Sequence, residues 1–282
     1  GHRCGSRLVW GEWGGPLAIP AMGRTTRQLP DGCSFHITLR CNSRAFLIAR
    51  GVRRDLLLAV LSKAQEKFGF RLHGICLMAN HLHLLLQPPQ GSDLPRIMHW
   101  ISWYSAMALN RITGRCGHFW EARYFSTPIE PGDTRRVLAT LRYIHANPKA
   151  AGVRKGFHDP YSNYGHYEGL AGDGLSEWHP AFLQLAPTLE GCARRYAHYC
   201  RRYRPRAKPA RKPGWGSRLL QRDGGSGRKG GSRKAAAAGQ LLLPWGGGGV
   251  DLPLPEEWQR LAEAFRRANG ARAGSWNANL VV

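Results

Sequence analysis

Apolar and polar positions alternate with two different periods along the middle of the chain. Phe35, Ile37 and Leu39 occupy every second position, which predicts a strand over Ser34–Cys41. Leu56, Leu57, Val60, Leu61, Ala64 and Phe68 recur at helical spacing and predict an amphipathic helix over Arg53–Phe68. Phe70–Met78 and His81–Gln87 read as two strands meeting near Ala79-Asn80, the second stopped by Pro88-Pro89. Ile97, Trp100, Ile101, Tyr104 and Leu109 mark a long helix over Ser92–Thr113. A further strand is expected over His118–Ile129. A helix follows over Asp133–Asn147, with Asp133 as N-cap and Pro148 as its stop. The order β-α-β-β-α-β-α contains the split βαβ unit. It predicts an α+β, ferredoxin-like fold: one antiparallel sheet with helices packed on one face. Cys192–Arg204 and Leu254–Asn269 read as two more helices. The apolar face of the latter (Trp258, Leu261, Ala262, Phe265) needs a partner, either the main body or another chain.

Composition then narrows the function classes. The 282 residues carry 41 Lys+Arg against 18 Asp+Glu, a formal charge of +23. Such an excess repels the folded state against itself and marks a polyanionic partner, nucleic acid before anionic membrane. Hydrophobic content of 43% suffices for a core. No apolar run approaches the roughly 18–20 residues that span a bilayer, and no secretory leader pattern is present. The expectation is a cytoplasmic, nucleoid-associated protein with no membrane contact. The seven cysteines include no C-x-x-C pair, so neither a zinc ribbon nor a thioredoxin-like site is signalled. They read as thiols in a reducing compartment.

The charge is uneven. Between Arg201 and Lys234 stand thirteen Lys or Arg and one acid, Asp223, about half of the net charge. That stretch is rich in Gly, Pro and Ser and cannot bury enough surface to repay its ordering entropy. Residues 201–249 therefore read as a disordered basic linker able to neutralise phosphates without sequence preference. Residues 250–282 read as a short amphipathic helix and tail, and 169–200 as a helical extension of the body. Residues 1–27 form an N-terminal extension, with Met22 as the expected natural start.

Two motifs carry chemistry. In Asn80-His81-Leu82-His83-Leu84, alternation puts His81 and His83 on one face of a strand. Two imidazoles one strand repeat apart can share a divalent cation. Taken alone, this motif is more often a pair of ordinary strand histidines. A histidine-triad hydrolase is disfavoured because its third position here is Leu85. In Arg142-Tyr143-Ile144-His145-Ala146-Asn147-Pro148, Tyr143 and Asn147 lie four apart on one helix face. Asn147 offers a hard oxygen suited to Mg²⁺ or Mn²⁺ beside imidazoles. Pro148 disfavours a helical conformation at Asn147, which makes it the weakest member of the set.

With both motifs in view, the sequence resembles the REP-associated tyrosine transposases of the HUH single-strand nuclease superfamily. The resemblance rests on His81-Leu82-His83 after Met78-Ala79-Asn80, on Tyr143-Ile144-His145-Ala146-Asn147-Pro148-Lys149-Ala150-Ala151-Gly152-Val153, and on His118-Phe119-Trp120-Glu121-Ala122-Arg123-Tyr124. It spans residues 28–168, the expected catalytic domain. It implies a metal-dependent single-stranded DNA endonuclease and strand transferase that cuts through a 5′-phosphotyrosine intermediate at hairpin sequences. Tyr143 would be the nucleophile, and His81, His83 and Asn147 the ligands of a divalent metal, Mg or Mn. The partner would be single-stranded or hairpin DNA, and the protein a monomer or a homodimer. Candidate contacts to the strand are Arg24, Arg27, Arg53, Arg54, Arg115, Trp120, Arg123 and Tyr124, since single strands are held by basic grooves and aromatic platforms. The alternative is a non-catalytic DNA- or RNA-binding regulator on the same fold.

Overall fold

The computed structural model describes residues 29–121, 123–205 and 254–270, and a two-residue pairing of Val9–Trp10 with Pro16–Leu17. The body begins with β1 (Ser34–Arg40), α1 (Gly51–Phe68), β2 (Arg71–Leu77) and β3 (His81–Gln87). It continues with α2 (Leu94–Thr113), β4 (Phe125–Ile129) and α3 (Thr134–Ala150). The short helices α4 (Tyr164–Glu168) and α5 (Pro180–Leu183) lead to α6 (Leu189–Arg201), and α7 spans Glu256–Asn269. The sheet order is β2-β3-β1-β4, with every neighbouring pair antiparallel. This is the split βαβ arrangement expected from the element order: β3 returns between β1 and β2.

Alternation sorts each strand between two cores. Phe35, Ile37, Leu39, Leu82, Leu84 and Leu86 join α1 and α2 residues such as Leu57, Leu61, Ile97 and Ile101 in one cluster. On the other face Cys76 and Leu85 pack with Val137, Leu141 and Ile144 of α3 and with the rings of Tyr164, Tyr167 and Tyr196. Helices on one face thus describes α1 and α2, while α3 and the following segment cover the opposite face. Burying each such aliphatic side chain contributes about 1.5–3 kcal/mol. The exposed Arg260–Glu256 pair contributes at most about 1 kcal/mol. The outer edge of β2 is closed by backbone bonds from Leu77 N to Tyr161 O (2.8 Å) and from Asn163 N to Ile75 O (3.1 Å).

Two expectations are corrected. The strand expected over His118–Ile129 forms only over Phe125–Ile129. Upstream, Trp120 makes an isolated bridge to Cys41, and this pairing is out of step with the Thr38↔Phe125 register. Extra residues between the two pairings bulge out and interrupt the ladder. The helix expected to stop at Pro148 continues through it to Ala150. Pro148 supplies no N–H to the Ile144 carbonyl. Asn147 Nδ2 instead reaches Ile144 O at 3.4 Å and Tyr143 O at 2.9 Å. The Asp133 cap forms as expected, accepting from Arg136 N at 2.9 Å.

The C-terminal helix finds its partner in the main body. Ala262 and Phe265 are fully buried in the α1–α2 cluster. Arg266 lies 3.6 Å from Asp55, and Asn269 accepts from His166 N at 2.8 Å. The expected extension 1–27 and basic linker 201–249 fall largely outside the described residues.

One buried histidine makes a test of acid stability. His179 Nδ1 accepts from Ala181 N at 3.0 Å, capping α5, while Nε2 lies 3.1 Å from Ser34 Oγ. Burial, then neighbouring His73, lowers its pKa to about 3. Below the ordinary value of 6.5 the unfolded chain takes up a proton that the folded one refuses. This contribution is therefore intact above pH 6.5 and is lost as pH falls toward 3, on the order of 3 kcal/mol of it by pH 4. In His179→Asn, which keeps a capping acceptor, urea unfolding between pH 7 and 4 is expected to show a shallower loss of stability than in the parent. Equal slopes would refute it.

Candidate active site

The β1–β3 register sets Thr38 opposite His83 and Arg40 opposite His81, with His36 opposite Leu85. All of these point to the α3 side, because the apolar partners between them fill the other core. Helix α3 comes close to this face where β2 carries Gly74 beside a register shift. An added Cβ there would stand 3.1 Å from the Leu141 and Leu85 side chains and 3.3 Å from that of Ile144. Leu141 and Ile144 thus seat the helix, and Tyr143, on its flank, lies over the histidines. Its ring meets His83 and His36 edge-on at centroid distances of 5.5 and 5.7 Å. The side chain remains 47% exposed.

The two motif histidines are held in defined orientations. His81 Nδ1 lies 2.7 Å from Asn80 Oδ1, and Asn80 Nδ2 donates to Arg44 O at 3.0 Å. The carboxamide oxygen can only accept, so His81 donates from Nδ1 and keeps its lone pair on Nε2. His83 Nδ1 lies 3.1 Å from Thr38 Oγ1 and 3.2 Å from His36 Nε2. Both neighbours engage Nδ1 and leave the His83 Nε2 without a hydrogen-bond partner among the described contacts. The rings of His81 and His83 are 5.0 Å apart, edge to face.

Electrostatics keep these rings neutral. Burial lowers His36 to about 4. Burial, then Arg40, lowers His81 to about 4. His83 is driven well below its ordinary value by burial, then by His81, His36 and Arg40. Tyr143 is raised above its ordinary value, by burial first and then Tyr203, against the pull of Arg40. The site therefore offers neutral imidazole donors and a protonated phenol at neutral pH.

The structure brings His81, His83 and Tyr143 together and places Asn147 one turn beyond Tyr143. The Asn147 amide nitrogen is spent on its own helix, which leaves Oδ1 as the atom suited to a cation. Among the described residues, no three His, Cys, Asp or Glu side chains converge as a metal site. Arg123 is exposed and lines a hollow of about 190 Å³ with Thr38, Arg40, Glu121 and Phe125. Arg115 comes near enough to Cys41 to oppose the burial that raises that thiol. Arg53 and Arg54 brace the loop before α1, donating to Leu47 O at 3.0 Å and Ala49 O at 2.7 Å. Tyr124 is a correction to the expected stacking set, whereas Trp120 is part-buried. Trp120 Nε1 is committed to Ser102 O (3.1 Å) and Ser105 Oγ (3.0 Å) of α2, and Tyr124 is buried in the α1–α2 core. Arg24 and Arg27 lie outside the described residues. His36, Thr38 and Arg40 were not anticipated. Their alternation with Phe35, Ile37 and Leu39 was visible, but not which strand they would face.

Residues 31–147 match the model of a family described as IS200-like transposases. No curated protein sequence matches the chain. Among solved structures, one described as a REP-associated tyrosine transposase bound to a REP hairpin is similar at 20% identity and a TM-score of 0.45. The similarity covers 55% of this chain and 89% of that one.

Proposed function

We propose, from the match of residues 31–147 to the IS200-like transposase family, that the protein cuts and rejoins single-stranded DNA through Tyr143. The observation that carries this reading is the Tyr143 ring packed against His83 and His36, beside His81. In the proposed step the phenol loses its proton and its oxygen attacks phosphorus. The new P–O bond to Tyr143 forms as the P–O3′ bond breaks, leaving a 5′-phosphotyrosine link and a protonated 3′-hydroxyl. One phosphodiester replaces another, so the step is nearly balanced in free energy and needs no nucleotide triphosphate. Attack by a different 3′-hydroxyl reverses it and transfers the strand.

His81 and His83, through Nε2, and Asn147, through Oδ1, would hold Mg²⁺ or Mn²⁺. When bound, such an ion polarises the scissile phosphate and offsets its charge. The residues fit this role: both imidazoles are neutral, and Asn80, Thr38 and His36 occupy their Nδ1 atoms. Arg40 is close enough to His81, His83 and Tyr143 to act on all three and adds a fixed positive charge where the phosphate would sit. The substrate we propose is single-stranded DNA next to a hairpin, met in the cytoplasm. In this reading Tyr143 acts with the histidines of its own chain, over which its ring lies.

An end-labelled single strand carrying hairpins, incubated with the protein and Mg²⁺, is expected to yield a covalent adduct on a denaturing gel. EDTA should remove the adduct and Mn²⁺ restore it. Adduct formation that persists in EDTA would overturn the metal assignment. Tight binding with no cleavage in any metal would favour the non-catalytic regulator.

A further inference from the structure

A row of side chains runs across the sheet on the α3 side. Phe125 of β4 is opposite Thr38, and Thr38 is opposite His83. Adjacent strands are roughly 5 Å apart, so Phe125 stands about two strand spacings from His83 on the same face. Helix α3 leaves this end uncovered, and Phe125 is 66% exposed. A single exposed aromatic is ordinary. This one, however, forms a wall of the hollow whose other walls are Thr38, Arg40, Glu121 and Arg123. Two guanidiniums against one carboxylate favour an anion there. The open ring offers a flat apolar surface beside them.

We infer that this hollow is a subsite for one unpaired nucleotide of the DNA strand, next to the phosphate that Tyr143 attacks. The base stacks on Phe125. Its phosphate lies against Arg40 and Arg123, and Glu121 accepts from an exocyclic amino group of the base. Arg40 spans the two positions: it lines the hollow and acts on His81, His83 and Tyr143. A base in a duplex cannot present its face to a protein ring, so the subsite selects a splayed single strand. The inference rests on the single-strand reading above and adds which residues recognise the strand.

The test uses the full chain carrying Tyr143→Phe, so that binding is read without cleavage. Fluorescence anisotropy follows a labelled hairpin-bearing single strand with an abasic nucleotide walked through each unpaired position. In this parent, one abasic position is expected to weaken binding about 10-fold, the scale of one base–aromatic stack. Adding Phe125→Ala should weaken binding of the intact strand by a similar factor and erase the penalty at that position. Phe125→Trp should preserve both. Arg40→Gln should lower the salt dependence of binding by about one phosphate contact. Phe125 is exposed, so circular dichroism of Phe125→Ala should match the parent. Equal affinity and an unchanged abasic profile in Phe125→Ala would overturn the subsite. Failure of the parent to bind any single strand would overturn both the subsite and the nuclease reading. Binding that depends on Phe125, together with no adduct from the chain that keeps Tyr143, would support the subsite and overturn only the catalytic role of Tyr143.

Discussion

Tyr143→Phe is expected to abolish covalent protein–DNA adducts, a loss of more than about 10³-fold, while single-strand binding stays within about 2-fold. The substitution removes one oxygen and keeps the ring. The edge contacts with His83 and His36, and the Leu141 and Ile144 seat that places the helix, do not involve the hydroxyl. Half of the side chain faces solvent, so no buried polar partner is orphaned and stability should hardly change. The check is a denaturing gel of labelled single strand, beside anisotropy on the same preparation. A persistent adduct would place the nucleophile elsewhere. Tyr161, Tyr164 and Tyr167 are poor replacements, since all three are buried and burial leads the causes that raise their pKa values.

His81→Ala is expected to lower Mn²⁺ affinity by more than about 100-fold and strand cleavage by a comparable factor. Electron paramagnetic resonance of added Mn²⁺ reads the first, and single-turnover cleavage the second. His81 is the better probe of the pair because it is only part-buried and its partner Asn80 keeps its bond to Arg44 O. His83 is buried, and His83→Ala would leave Thr38 and His36 facing a void. That variant should lose about 1–3 kcal/mol of stability along with activity, which confounds its reading. Parent-like Mn²⁺ affinity in His81→Ala would remove this residue from the metal site.

Sequence and fold part where a residue's surroundings come from elsewhere in the structure. Its missing backbone N–H makes Pro148 a helix stop by local rules. Only the folded helix shows Asn147 reaching the carbonyls of the preceding turn. The composition of His118–Ile129 suits one continuous strand. The break follows from how Trp120 and Phe125 pair with β1. Tyr124 suits stacking and packing equally by residue type, and its burial in the fold tells the two apart.

By itself, the sequence determined the element order, the basic character and the two motifs that hold His81, His83 and Tyr143. These depend on local periods and short motifs, which a chain carries whether or not it is folded. The tertiary structure alone decided which strand lies beside the histidines. His36, Thr38 and Arg40 come to His81 and His83 from more than forty positions away, and Phe125 joins them from a third strand. Strand register is set by the two cores that the sheet must fill on its opposite faces, and no single segment contains that information.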